Sequence, residues 1–338
     1  MLNKLKTTTA LVGALSIAAT ASYAETKITG DIEQTYVSHS QDLAANKING
    51  AGGFGHETNL TLTSSKDLAN GWKANFGYTL EQNGRTAASD QKYLSLSSGN
   101  FFVAVGEDHG DNLQATVIPF VSDNFETIGG SSGAGLSFDS HGSTLFGTTN
   151  LNVHEFSNIA AGFKFDGGVA TFRYAPNASN GSDDTTITGS AQSAMEYLIS
   201  GKFQGVGYRL GKMQAEQANS ADAGSKPDYT VYGLSYGMNG FTVAAERRNT
   251  DNGSTDTTAE TKATQYGVAY ATKDFSAGIY MLKNDRDATA LEEEAKMIQV
   301  GYNIGGLGFD VSYMQIENAN FASGADADVW QIRTVQKF

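Results

Sequence analysis

Short segments in which apolar and polar residues alternate recur along most of this chain. The pattern is plain over residues 72–80, 275–281, 298–302 and 307–313. Successive side chains of a β-strand point to opposite faces, so each segment predicts a strand with one apolar and one polar face. The chain is therefore predicted to be all-β.

The connections between these segments alternate between short and long. Each short one contains Gly, Asn or Asp, the residue types that tight hairpins use. Seven short connections lie at 66–71, 97–100, 166–168, 204–205, 237–240, 272–274 and 304–306. Eight longer polar ones lie near 39–52, 83–90, 107–155, 176–193, 216–227, 250–261, 284–295 and 317–327. Seven short and eight long connections in strict alternation join sixteen strands.

This alternation favours a closed antiparallel transmembrane β-barrel of 16 strands. A bilayer offers no hydrogen-bond partners to the backbone, so a sheet that spans it must close on itself. Single-chain barrels of this kind have tight turns at one end and longer loops at the other. A soluble β-sandwich or propeller also has period two, but the hairpins show no four-strand repeat of fixed length. No apolar run is long enough to predict a transmembrane helix.

The first 24 residues have the features of a secretory signal peptide. A basic start, MLNKLK, precedes an apolar stretch and small residues at Ser22 and Ala24, which predicts cleavage after Ala24. Residues 25–338 would then form one barrel domain. They hold all 36 acidic residues but 21 of the 23 basic ones, because Lys4 and Lys6 precede the cleavage point, and their formal charge is −15. That charge argues against nucleic acid as a partner and favours cations.

One connection, residues 107–155, runs for 49 residues without sustained alternation. Connections of that length inside a compact β protein are usually functional or disordered. This one contains a glycine-serine patch, GGSSGAG at 129–135, and a set of acidic residues. We expect it to fold back into the space that the strands enclose. Its acidic residues include Glu107, Asp108, Asp111, Asp123, Glu126 and Asp139.

Two stretches resemble a known family. The segment YLSLSSGNFFVAVGEDHGDN at 93–112 resembles the strand–turn–strand before the pore loop of general diffusion porins from Gram-negative outer membranes. The ending WQIRTVQKF, which closes on Phe338, is similar to the terminal-strand assembly signal of that family. Two positions depart from the family pattern. Gln336 stands where an aromatic residue is usual, and Glu107 stands where a basic one is common.

The resemblance implies a homotrimeric 16-stranded porin whose third long loop folds inside as a constriction. Such a protein lies in the outer membrane, next to its lipids and lipopolysaccharide, and lets small hydrophilic solutes and ions diffuse passively without a cofactor. In that family basic residues on the wall face acidic residues of the inner loop, and the opposed charges tune ion choice. The acidic run at 292–294 is expected to form a solvated face of a loop near the cell surface.

Period two assigns the faces of the strands. On the last strand Trp330, Ile332 and Phe338 share one side, and we take this aromatic side to face the lipid. The same parity predicts a charged lumen wall of Asp31, Glu33, Glu57, Lys73, Arg173, Arg209, Arg248 and Arg333, together with Glu81, Glu196, Lys202, Glu246 and Asp310. The predicted constriction consists of Glu107, Asp108, Asp111, Asp123 and Glu126. Acids on the loop and on the first three strands together predict a pore that prefers cations.

Nothing in the sequence favours catalysis. There is no cysteine nucleophile, no G-x-S-x-G elbow and no H-E-x-x-H motif. The patch at 129–135 lacks the G-K-[ST] ending of a phosphate-binding loop. The spacing of His109, His141 and His154 matches no metal-ligand pattern, so we predict neither a metal nor a cofactor. A solute-specific porin, a plugged structural or adhesin barrel, and a secreted soluble β-enzyme remain as alternatives.

Overall fold

A computed structural model provides the structure of the chain. It describes residues 25–39, 52–83, 86–107, 109–113, 115–121, 153, 157–176, 193–215, 228–251, 260–287, 291–318, 323–324 and 326–338. The predicted signal peptide, the patch at 129–135 and most of the connection at 107–155 lie outside these residues. In the part described, no helix is long and apolar enough to cross a membrane.

Sixteen strands account for most of the described chain. They are β1 Glu25–His39, β2 Gly52–Asp67, β3 Lys73–Asn83, β4 Thr86–Ser98, β5 Phe101–Glu107, β6 Asn158–Phe165, β7 Gly168–Ala175, β8 Ala194–Phe203, β9 Val206–Ala215, β10 Asp228–Met238, β11 Phe241–Asp251, β12 Glu260–Ala271, β13 Phe275–Arg286, β14 Glu293–Ile304, β15 Leu307–Glu317 and β16 Ala327–Lys337. A single 3-10 turn, Ala69–Gly71, lies between β2 and β3.

Each strand pairs with its neighbours in sequence, and β1 pairs with β16 to close the sheet. The closing register runs from Asp31 opposite Lys337 to His39 opposite Val329. Every pairing is antiparallel. Because the sheet is closed, the sixteen described strands leave no unpaired strand edge. The predicted fold class, a closed antiparallel barrel of 16 strands, is confirmed.

The tight turns also lie where the sequence predicts them, because their residues accept the left-handed backbone. Asn239 and Gly240 have φ of 53° and 85°, and Gln204 and Gly205 have 49° and 85°. Two-residue hairpins of the type that matches strand twist require positive φ at both central positions.

One predicted long loop is wrong. The connection expected at 83–90 spans only residues 84–85, because β3 ends at Asn83 and β4 begins at Thr86. The small polar residues at 86–90 resemble a loop in local sequence, yet residues 86–89 pair with β3, and Asp90 is the extra residue at the register shift opposite Thr79 and Leu80. Pairing in the sheet outweighs weak local strand preference here.

The two faces of the wall differ as the alternation predicts. On β16, Trp330 and Ile332 are about half exposed on the outer face, whereas Gln331 and Arg333 are 1% and 7% exposed on the inner one. The inner face is not polar throughout. Leu113 packs in an apolar cluster with residues of β7 to β10, and Ile118 packs in a second one with residues of β12 to β16 and β1. Both residues belong to the connection between β5 and β6.

Candidate functional site

The described part of the β5–β6 connection lies against the inner wall. We call residues 109–113 and 115–121 the anchored segment. Its partners are inward-facing side chains of strands from β7 to β14, about half of the circumference. The predicted inward fold of this connection is therefore seen for these residues, and the residues after 121, up to 152, are outside the described part.

Two wall arginines hold the beginning of the anchored segment. Arg173 on β7 is fully buried, forms an ion pair with Glu196 on β8, and donates hydrogen bonds to the carbonyl oxygens of His109 and Asp111. The Asp111 carboxylate accepts from Arg209 on β9 at 3.0 Å and from the Ser200 hydroxyl. Arg173 therefore binds main-chain oxygens of the segment, and Arg209 binds a side-chain carboxylate.

A second charged group holds the middle of the segment. The backbone N–H of Val117 donates to Glu246 on β11 at 3.0 Å. Arg248, two residues along the same strand face, donates to Glu246 at 2.5 Å and to the carbonyl oxygen of Ala115 at 3.1 Å. Arg248 also donates to the Tyr229 hydroxyl at 3.1 Å. Carboxylate and guanidinium thus satisfy both an N–H and a C=O of the segment.

Neutral side chains of the wall bind the C-terminal end of the anchored segment. The Tyr280 hydroxyl donates to the carbonyl oxygen of Pro119 at 2.8 Å, and the Val121 N–H donates to Gln299 at 2.9 Å. Gln299 in turn donates to Ser312 at 3.2 Å. Backbone groups of the segment are therefore paired with the wall along its length, as buried peptide groups require.

His109 sits where the segment leaves β5. Its ring packs edge-on against Tyr93, with centroids 4.7 Å apart, and tilted against Phe102 at 5.3 Å. Burial, together with the nearby positive charge of Arg173, lowers the pKa of His109 from its ordinary 6.5 to about 4. The imidazole is therefore neutral at pH 7.

The wall across the lumen from the anchored segment is acidic. It consists of β15, β16 and β1 to β3. Arg333 lies 2.8 Å from Glu33 and 4.0 Å from Asp310, measured from Nε to carboxylate oxygens. Asn59 donates to Glu57 at 2.6 Å and reaches Asp31 at 3.5 Å. By strand parity, seven carboxylates accompany four basic residues among the described inward-facing positions of these strands. The acids are Glu25, Asp31, Glu33, Glu57, Asp67, Glu81 and Asp310, and the bases are Lys27, Lys73, Arg333 and Lys337.

The predicted constriction acids are not together in the described chain. Asp111 is in the anchored segment. Glu107 ends β5, is 5% exposed, and binds Lys92 at 3.2 Å and Ser157 at 3.1 Å. By strand alternation Glu107 shares the side of Val103 and Val105, which face outward. Asp108, Asp123 and Glu126 lie outside the described residues.

The prediction for the run at 292–294 is wrong at its centre. Glu293 is the first residue of β14 and is 1% exposed, since its side chain points inward, as does that of Ala295. Only its neighbours lie on the outer side, where Glu292 pairs with Lys283.

Sequence reasoning missed the neutral anchors Tyr280, Gln299 and Ser200. A usable signal existed for Glu246 and Arg248, because an acid and a base two residues apart on a strand share one face. No such signal marks a tyrosine or glutamine that binds a distant backbone. In the residues described, no group of three acidic or histidine side chains is arranged to hold a metal ion.

Comparison with known proteins gives one family. A family model described as Gram-negative porin matches residues 7–338. Similar solved structures include the Vibrio cholerae outer membrane protein OmpT with one loop deleted, at 10% identity and a TM-score of 0.63 over 93% of this chain and 99% of that one. A mutant of the Rh. blastica porin has 12% identity and a TM-score of 0.61 over 93% and 100% of the two chains. At such identities the likeness concerns the fold. No curated protein matches the sequence.

Proposed function

We propose that this chain, which belongs to the Gram-negative porin family, forms a water-filled pore that prefers cations. The family places it in the outer membrane and is one of passive channels rather than enzymes. Sixteen strands enclose enough space for an aqueous channel. Small hydrophilic solutes and ions would cross by diffusion.

The acidic wall of β15, β16 and β1 to β3 carries this proposal. The arginines that hold the anchored segment each have a carboxylate partner, Arg173 with Glu196, Arg209 with Asp111, and Arg248 with Glu246. Their side of the lumen therefore adds little net charge. The opposite wall has a formal excess of acid, and carboxylates along a pore favour cations.

The β5–β6 connection is proposed as the constriction, with Asp108, Asp123 and Glu126 adding negative charge. Asp111 belongs to this constriction, but its carboxylate is paired with Arg209 at 3.0 Å, so it adds little net charge. We expect a smaller effect from Glu107, because it is nearly buried between Lys92 and Ser157.

The test is the reversal potential of the protein in a planar bilayer under a salt gradient. The parent should show a potential of the sign set by cations, and Asp31→Asn combined with Glu57→Gln should move it toward zero. Glu317→Gln is the matched control, because that acid is exposed on the outer face. An anion-preferring parent, or equal potentials for the double variant and the parent, would contradict the proposal.

We further propose a homotrimer in contact with lipopolysaccharide. The support is the family and the broad apolar outer face, with Phe101 and Phe163 packed at 4.8 Å and Phe241 and Tyr270 at 4.7 Å. Chemical cross-linking in outer membranes should stop at three copies. A ladder that ends at one or two would contradict this.

The signal peptide is likewise a proposal. Its support is the basic start MLNKLK, the apolar stretch that follows, and the small residues Ser22 and Ala24. Mass spectrometry of the protein purified from outer membranes should give the mass of residues 25–338.

A further inference from the structure

We infer that four glycines on the inner wall are sockets that set how far the anchored segment projects into the lumen. They are Gly211 on β9, Gly233 on β10, Gly267 on β12 and Gly301 on β14, and all four face inward and are buried. This inference deepens the proposed function, since it concerns the aperture of the pore.

Each glycine faces an apolar side chain of the anchored segment. A β-carbon at Gly233 would lie 2.6 Å from Cγ2 of Val117, and one at Gly267 would lie 2.8 Å from Cγ2 of Ile118. At Gly301 the segment contact, 2.9 Å to Cγ1 of Val121, is joined by two wall contacts, 2.7 Å to Asp310 and 2.8 Å to Ser276. One at Gly211 would overlap the Leu113 side chain. Real β-carbons do not approach that closely, so the segment occupies the space that a side chain on the wall would need.

The order of these contacts matches the order of the chain. Residues 113, 117, 118 and 121 meet β9, β10, β12 and β14 in turn, so the segment crosses the strands around the wall. Five strand spacings amount to at most about 24 Å, and eight extended residues reach about 26–29 Å. Eight residue steps are therefore enough to carry the segment across these strands, including a tight turn in which the Phe120 N–H donates to the Ile118 carbonyl oxygen at 2.9 Å.

Polar anchors flank the Gly233 socket. The Val117 N–H donates to Glu246, which stands opposite Gly233 in the register of β10 and β11. Moving Val117 away from the wall also lengthens this hydrogen bond. Glycine at 233 thus allows the apolar contact and the polar contact to form together.

The experiment adds a methyl group at the Gly233 socket and then removes the methyl groups of Val117 that oppose it. Gly233→Ala adds a methyl group that pushes Val117 toward the lumen, so single-channel conductance should fall below that of the parent. Adding Val117→Ala removes the opposing methyl groups and should restore it. Gly237→Ala is the matched control, four residues along the same inward face, where a β-carbon meets nothing nearer than 3.4 Å. Its conductance should equal the parent's.

Two results would overturn the inference. One is a conductance for Gly233→Ala equal to that of Gly237→Ala. The other is a fall that Val117→Ala fails to reverse, which would assign the effect to the neighbouring Glu246 carboxylate instead.

A second readout needs no conductance. The chain contains no cysteine. In a Gly233→Cys/Val117→Cys double variant the two β-carbons are within reach of a disulfide, so oxidation should cross-link the folded protein. The Gly237→Cys/Val117→Cys pair should not cross-link. If the first pair stays reduced, the socket is wrong. If it cross-links in a protein that conducts no ions, the socket stands and the proposed function fails.

Discussion

At the scale of single residues, the charges of the inner wall serve two different purposes. On the side of the anchored segment, arginines and carboxylates are buried in pairs and bind the backbone of the β5–β6 connection. On the opposite side, carboxylates outnumber basic residues next to the lumen. Strand parity predicts that both sets of charged residues point inward. The sequence does not predict which groups of the β5–β6 connection they bind, because that 49-residue connection has no periodicity from which its position against the wall could be read.

Glu196→Gln tests the first set. The change leaves Arg173, fully buried, without its carboxylate partner, and removing one member of a buried pair costs about 3–5 kcal/mol of unfolding free energy. Urea unfolding in detergent or lipid measures this cost. Lys296→Gln breaks an exposed pair with Glu317 and should change stability little. Equal stabilities for the two variants would show that the buried pair has no special role.

The lowered pKa of His109 predicts that the binding of the anchored segment to the wall, which we call docking, depends on pH. Because the pKa is about 4 in the docked state and 6.5 for a free imidazole, an undocked segment binds more protons between pH 6.5 and 4. Docking is therefore fully stable above pH 6.5 and weakens as the pH falls toward 4, where the imidazole gains charge beside Arg173 and between Tyr93 and Phe102. Open-channel noise should rise over that window. His109→Gln stays neutral and should lack this component, and superimposable pH profiles would contradict the role of His109.

At the scale of elements, the sequence predicts strands better than connections. Alternation fixes both the existence and the faces of the strands, and glycine- or asparagine-containing turns separate them. The error at 83–90 arises because small polar residues at the start of β4 have no apolar face to reveal them. The glycine sockets were equally hidden, since a glycine within a strand looks the same whether it is tolerated or required.

The seam between β1 and β16 gives a prediction at this scale. Gly30 and Phe338 exchange backbone hydrogen bonds of 3.0 and 2.9 Å. A β-carbon at Gly30 would lie 2.6 Å from the Phe338 ring and 2.3 Å from the backbone carbonyl oxygen of Asn59 on β2. Gly30→Ala should therefore lower the fraction of protein that runs as a folded, heat-modifiable barrel on gels. Gly308→Ala, on β15 with nothing within 3.5 Å of the new β-carbon, is the control. If both variants fold to the same extent, the barrel seam does not need glycine at position 30.

At the scale of the whole molecule, the anchored segment makes the interior asymmetric. It covers the wall from β7 to β14 and adds apolar contacts there, so the aqueous path is predicted to run along the acidic wall. Closure of the sheet and the number of strands followed from the sequence. This division of the lumen did not, because it depends on contacts between residues more than one hundred positions apart, such as Val117 with Glu246.

In the proposed pore, a water-filled path remains beside the anchored segment. The most direct test is single-channel recording of residues 25–338 refolded into a planar bilayer, over a series of KCl concentrations. We predict discrete conductance steps that grow in proportion to salt concentration, as expected for ions in an aqueous pore. Folded protein that inserts into the bilayer without any conductance steps would contradict the claim and indicate a barrel closed by its own interior.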